Sequence, residues 1–205
     1  MRVMASIVLA ALALAGCGSD DPNEAAAPEP VTVTQTVTET LPPATAAPES
    51  ECSTSALRLT LPEQELPPAV ADVRKRVFDA TVACDYDTLE EIALEQGEGF
   101  TFSYGADTDA SEYWRQAEES AEEPKPLRAL AAILTLPHTR NESGSYAWPT
   151  AYDESPTAED WQALVEAGLY DVETVEQMKT QGTGYLGYRT AITADGDWQF
   201  FVAGD

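Results

Sequence analysis

The sequence predicts an α+β fold, with helices packed on a mostly antiparallel, curved sheet. Between Pro67 and Gly182, helix start and stop signals recur with apolar residues at helical spacing between them. The chain closes on two apolar runs, Tyr185 to Thr193 and Trp198 to Ala203, flanking Ala194-Asp195-Gly196-Asp197. The 154 residues from Cys52 to Asp205 show no internal repeat and suffice for one domain with its own core.

Taken in order, Leu57 to Leu61 alternates like a short strand ahead of Pro62. Pro67 and Pro68 then open a helix that places Val70, Val73, Val77 and Cys84 on one face, with Phe78 and Thr81 beside them. Asp87-Thr88-Leu89-Glu90 matches a capping box with Asp87 as N-cap, starting a short helix that ends at Gly97. Phe100 to Tyr104 alternates and is expected as a strand. Asp109 or Ser111 caps a helix carrying Tyr113 and Trp114. Pro126 starts another, with Leu127, Leu130, Ala131 and Leu134 at helical spacing. Tyr146 to Tyr152 is aromatic and extended, and Pro149 demotes it to an edge. Ser155-Pro156 opens a helix through Trp161 and Leu164 that stops at Gly168, and Asp171 caps one more that ends near Gly182. Asp195-Gly196 suits a two-residue type I′ turn, which places Thr190 opposite Phe201 and Ala191 opposite Phe200. Both faces of that hairpin carry apolar groups, so both are expected to be covered.

Residues 1–16 read as a targeting segment. Arg2 precedes an apolar run from Val3 to Leu14, too short for a hydrocarbon core about 30 Å thick but of the length of a signal-peptide core. Leu14-Ala15-Gly16-Cys17 follows, and these four residues resemble the lipobox of bacterial lipoproteins. The resemblance implies cleavage before Cys17 and a thioether-linked diacylglyceryl group on it. Each buried methylene contributes about 0.8 kcal/mol and stable anchoring takes two hydrophobic chains, so a diacylated Cys17 would hold the protein to a membrane. The expected location is the extracytoplasmic face of the cell membrane. Residues 17–51 form the lipidated Cys17 and a tether. From residue 18 the tether has six prolines, seven acids, no basic residue and no aromatic one, a composition that cannot bury enough surface to order itself.

With Cys17 lipidated, Cys52 and Cys84 remain in an oxidising compartment, where an even number favours a disulfide. Two separate buried thiols are the alternative. Removing residues 1–16 takes away Arg2 and no acid, leaving 10 basic and 36 acidic residues and a charge of −26. Such a field argues against nucleic acid and anionic headgroups as ligands, and suits a cationic partner or plain solubility.

The helix from Pro68, the Cys84-Asp85-Tyr86-Asp87 turn, the short helix and the aromatic strand, over residues 68–105, resemble the start of the NTF2-like (cystatin-like) cone. That resemblance implies a conical pocket between helix and sheet. The acid–base residues of its enzymatic members find no counterpart in this sequence, and the two helices between Pro156 and Gly182 interrupt its usual run of strands.

No catalytic constellation is evident. There is no Gly-x-Ser-x-Gly elbow, and the single histidine, His138, follows Pro137 in a loop-like stretch suited to a solvated side chain. One histidine without a spare thiolate makes a poor zinc site. Asp107, Asp109, Ser111 and Glu118 are spaced like EF-hand ligands, but Glu112 stands where the turn requires glycine, and helix capping is the better reading. No metal or other cofactor is expected. Among the aromatic residues, Trp148 and Tyr188 are candidates for a ligand-stacking surface, with core packing as the alternative. Arg189, a cation amid apolar strand residues, orients an anionic ligand or pairs with a carboxylate. The expectation is a lipid-anchored domain that binds a small molecule or a protein partner. A carboxylate-based hydrolase or isomerase with an NTF2-like pocket and a structural spacer are the alternatives.

Overall fold

The computed structural model describes residues 52–95, 99–120, 122–182 and 184–204. The targeting segment, Cys17, the tether and Gly97 lie outside the described residues. Within them the chain runs α1 (Pro68–Val82), α2 (Tyr86–Leu94), α3 (Ala110–Glu119), α4 (Pro126–Thr135), β1 (Thr139–Arg140), β2 (Tyr146–Trp148), a 3-10 turn (Thr150–Tyr152), α5 (Ala158–Glu166), α6 (Val172–Gln181), β3 (Arg189–Ile192) and β4 (Trp198–Val202). The fold is α+β: helices packed on an antiparallel sheet of order β1-β2-β3-β4 that does not close.

Local chemistry sets most helix starts. Asp109 accepts from the Glu112 amide and Asp171 from the Thr174 amide, while Thr157 and Asp160 form a reciprocal capping box at α5. Asp87 is not the cap of α2. The cap is Asp85, two residues earlier, whose carboxylate accepts from the Thr88 amide and hydroxyl. Gly182, at φ 71°, closes α6 in the left-handed conformation that a Cβ penalises. Helix α4 starts at Pro126 with no side-chain cap of its own; its free amides are met from far away in the chain. Leu127 N–H donates to Glu118 Oε1 at 2.8 Å and Arg128 N–H to Ser53 Oγ at 3.0 Å. The same carboxylate accepts from the Ser53 amide at 2.8 Å and hydroxyl at 3.0 Å. A carboxylate at a helix N-terminus is also favoured by the helix dipole. Replacing Glu118 with alanine should therefore cost about 2 kcal/mol, a cap plus the dipole interaction. Urea unfolding of the variant measures it, and a loss under about 0.5 kcal/mol would assign the capping to water.

Three sequence expectations about strands change. Leu57–Leu61 forms no strand: residues 57–67 run as an extended strap, fixed by side chains rather than by a backbone ladder. Phe100–Tyr104 contributes a single parallel bridge, Thr101 to Phe200, on the outer edge of β4. Its alternation nevertheless has physical content, because Phe100 packs on Trp198 and Phe102 on Tyr113. Tyr146–Trp148 is an inner strand, paired with β1 on one side and β3 on the other, and Pro149 ends it instead of marking an edge.

The terminal hairpin keeps the expected pairs Thr190–Phe201 and Ala191–Phe200, but the register then slips by one to pair Ile192 with Trp198. Gln199 is the extra residue of that bulge. The slip converts the connection from two residues to three: Gly196 N–H donates to Thr193 O, and Thr193 N–H to Asp197 O. A type I turn followed by a left-handed glycine is the usual three-residue solution, and Gly196 sits at φ 99°. A Cβ there would also come within 3.2 Å of the Ala69 methyl at the start of α1.

Both faces of the sheet are covered. Trp148, Thr190, Ile192, Trp198 and Phe201 face α1, α2 and α4 and the Trp114 ring of α3, among Val70, Val77, Leu127 and Leu130. Ala147, Ala191, Val202 and Arg189 face the other way and are buried. There the Tyr152 ring meets Phe200 edge-on at 6.2 Å.

Candidate functional site

The sequence candidates do not form one site. Trp148 lies on the helix-facing side of the sheet with 0 % exposure, where its indole N–H donates to Gln64 Oε1 at 3.1 Å. It is a core residue, not a ligand-stacking surface. Tyr188 is half-buried and stacks on Phe201 with ring centroids 5.3 Å apart. Its backbone is held by two other phenols: its N–H donates to Tyr170 Oη, and its carbonyl accepts from Tyr185 Oη. The intervening Gly187 has no room for a side chain, since a Cβ there would fall 2.6 Å from Tyr170 Oη.

Arg189 points to the opposite face and is 6 % exposed. Among the described residues it pairs with no carboxylate. Its guanidinium donates to Gly187 O, Gly204 O and Tyr104 Oη, and lies 5.4 Å from the centre of the Tyr152 ring. A second buried guanidinium, Arg74, carries no sequence signal, because it occupies a helical position between the core residues Val73 and Val77. It donates twice to Leu134 O and once to Pro62 O, so it caps one carbonyl in the last turn of α4 and holds the strap. Burial lowers its pKa to about 10, which leaves it charged at neutral pH. A guanidinium at a helix C-terminus gains from the dipole, which helps offset its desolvation.

His138 is not a solvated loop group. Its ring lies between Tyr146 and Trp148, at centroid distances of 5.4 and 5.7 Å, with Nδ1 3.3 Å from Gln64 Oε1. Burial, and then the charges of Arg74 and Arg140, hold its pKa below the ordinary value. The unfolded chain therefore takes up a proton near pH 6.5 that the folded chain refuses. This group's contribution to stability should be full above pH 6.5 and be lost as pH falls from there through the lower folded value. Urea midpoints at pH 7.5 and 5.5 test this, and an equal loss in a His138→Asn variant would assign it elsewhere.

The carboxylates with displaced pKa values, Glu95, Asp109, Asp153 and Asp171, all move downward. Glu95 pairs with Arg76, and the other three accept hydrogen bonds in caps and turns. Asp109 is thus a helix cap, as the capping reading of the EF-hand-like spacing expects, and the described residues hold no cluster of metal ligands.

Between α1 and the terminal hairpin, where the NTF2-like resemblance implies a pocket, side chains fill the space. Concavity lies at the surface. An open groove of about 960 Å³ is walled by residues 140–143, by residues 152–154, and by Gly182, Gly184 and Tyr185. It carries the carboxylates of Glu142, Asp153 and Glu154 against the single guanidinium of Arg140, which is laid 4.0 Å over the Tyr146 ring. A smaller cleft of about 580 Å³ lies beside Cys52, with Arg115, Lys125 and Arg128 facing Glu118, Glu119 and Glu123. Among the described residues, no helix is long and apolar enough to cross a membrane. Comparison with protein-family models, with curated proteins and with solved structures gives no match.

Proposed function

We propose that this chain is a lipid-anchored, extracytoplasmic lipoprotein whose α+β domain works by docking a cationic protein partner on its acidic surface. The observation that carries the docking half is the contrast between a filled interior and an open, acidic groove. A small-molecule site is normally a concave, largely apolar pocket that encloses its ligand. Here the apolar volume is occupied by the protein's own Trp114, Trp148 and Phe201. What the surface offers is the polar groove at Glu142, Asp153 and Glu154 on a chain of net charge −25. Complementary charge of that kind steers encounter and sets specificity. The anchoring half rests on Leu14-Ala15-Gly16-Cys17 and the apolar segment before it.

Two experiments separate the halves. Labelled fatty acid fed to the cells should be incorporated into the wild type and not into Cys17→Ala; a wild type that takes up no label would overturn the lipid anchor. For docking, the full chain is coupled to an oligolysine peptide with a zero-length carbodiimide at low salt. Cross-links should concentrate on Glu142, Asp153 and Glu154 and fade with added salt. Cross-links spread evenly over all exposed carboxylates would leave only a solvating surface. The carboxylate-based hydrolase or isomerase has less support, since it needs an acid held protonated in an enclosed site.

A further inference from the structure

The strap at residues 57–67 leads from the disulfide at Cys52 to α1, and few side chains hold it. Gln64 is central. Its Nε2 donates to Leu136 O at 2.7 Å, which fixes the orientation of the amide. Its Oε1 accepts from Trp148 Nε1 at 3.1 Å and faces His138 Nδ1 at 3.3 Å. With Oε1 an acceptor, His138 must carry its proton on Nδ1, and the neutral ring keeps Nε2 unprotonated. Two residues before Gln64, the carbonyl of Pro62 accepts from Arg74.

The groups around the ring are one-sided in charge. Arg74 faces it from α1 and Arg140 from β1. Tyr146 and Trp148 flank it from β2, and Gln64 faces it from the strap. No carboxylate of the described residues is paired with it. The two aromatic rings cannot freely receive an imidazolium, because each already has a guanidinium near it. Arg140 lies 4.0 Å over Tyr146, and Arg74 lies 5.8 Å from the Trp148 ring centre. Arg140 is exposed and free to swing away, whereas Arg74 is 3 % exposed and tied to two carbonyls. A second proton on the ring thus adds a cation against the Trp148 ring, which a fixed cation, Arg74, already adjoins. The charged Nδ1–H would bond Gln64 more strongly, but that gain opposes a repulsion Arg74 cannot relieve. The ring's remaining route is outward, since His138 is only partly buried, on the chain between α4 and β1.

We propose that His138 is an acid-sensitive latch on this strap: protonation drives the imidazole out from between Tyr146 and Trp148 and releases Gln64 and the strap around it. The proton balance is simple, one proton taken from solvent onto Nε2 and returned when pH rises. Release leaves the Trp148 indole N–H and the Leu136 carbonyl without Gln64, and uncovers the end of the sheet nearest β1.

The test follows the ¹⁵N-labelled full chain from pH 7.5 to 4.5. The Trp148 indole N–H resonance should shift with the midpoint of the His138 ring, below pH 6.5. Exchange of the Trp148 indole N–H and of the Gln64 side-chain amide protons, corrected for its intrinsic pH dependence, should rise at least about tenfold through that midpoint, while the α3 amides stay unchanged. His138→Asn keeps a donor at the Nδ1 position and cannot titrate, so these protons should stay protected at pH 5. Gln64→Ala should expose the Trp148 indole N–H at every pH. Exchange of the Trp148 indole and Gln64 amide protons unchanged through the His138 titration would overturn the latch. So would the same acid response in His138→Asn, which would place it on carboxylates such as Glu63 and Glu65. If His138→Asn does not fold, coincidence of the wild-type ring and exchange midpoints decides the matter.

Discussion

Replacing Trp148 with alanine is expected to destabilise the domain by about 3–5 kcal/mol, the range for removing a large aromatic side chain from a packed interior. The indole is fully buried and adjoins three features at once. It donates to Gln64, forms one wall of the His138 niche and lies beside Arg74. Truncation opens a cavity and also leaves the strap without one of its few fastenings. Trp148→Phe keeps most of the volume and loses the N–H, so it should cost about 1–2 kcal/mol. Equilibrium urea unfolding of both variants separates the packing contribution from the hydrogen bond. A loss below about 1 kcal/mol for the alanine variant would return Trp148 to the surface role that its residue type first suggests.

Removing the disulfide should be nearly as severe. Cys52 and Cys84 are joined with their Cα atoms 5.8 Å apart and a sequence separation of 32. Closing a loop of that length restricts the unfolded chain by about 3–4 kcal/mol in the chain-entropy description. The bridge fastens the point where the chain enters the domain, and polar contacts gather around it. Thr54, buried next to it, donates to Thr81 O at 2.9 Å, and Ser53 meets Glu118 and the start of α4. A pull on the N-terminal side of Cys52 is thus shared by α1, α3 and α4. The double variant Cys52→Ser/Cys84→Ser should unfold at markedly lower urea than the wild type and ignore added reductant, whereas reductant should lower the wild-type midpoint towards that of the variant. Equal midpoints would show that the native contacts of Ser53 and Thr54 suffice alone.

The same region shows why sequence patterns reach some features and miss others. Asp109 and Asp171 are legible as helix caps because a cap bonds an amide two or three residues away, within the span of a local pattern, whereas the cap of α5 is Thr157, two residues beyond the Ser155-Pro156 start. Asp87 was misread for Asp85 because both stand close ahead of the same apolar run, and only the backbone at the turn tells them apart. The pairs Thr190–Phe201 and Ala191–Phe200 followed from alternation and the Asp-Gly turn, but the bulge at Gln199 did not. The Gly196 turn lies against Ala69 of α1, so the hairpin tip is shaped against a partner some 125 residues away in the chain.

For the candidate site, residue type alone was misleading. Trp148 and Arg189 drew attention as an aromatic and a cation with ligand-binding chemistry, and the fold turned both inward, on opposite faces of one sheet. Arg74 was hidden among core valines, and His138 looked solvated because nothing near it in sequence announces Tyr146, Trp148 or Gln64. The sequence by itself determined the α+β class, most helix limits and the outer hairpin register, all set by hydrogen bonding, turn chemistry and periodicity over a few residues. The tertiary structure alone decided that Glu118 and Ser53 cap α4, that Leu57–Leu61 is a strap, and that two guanidiniums are buried against carbonyls. Those outcomes depend on which distant groups share a desolvated space, and desolvation is a property of the packed molecule, not of any one segment.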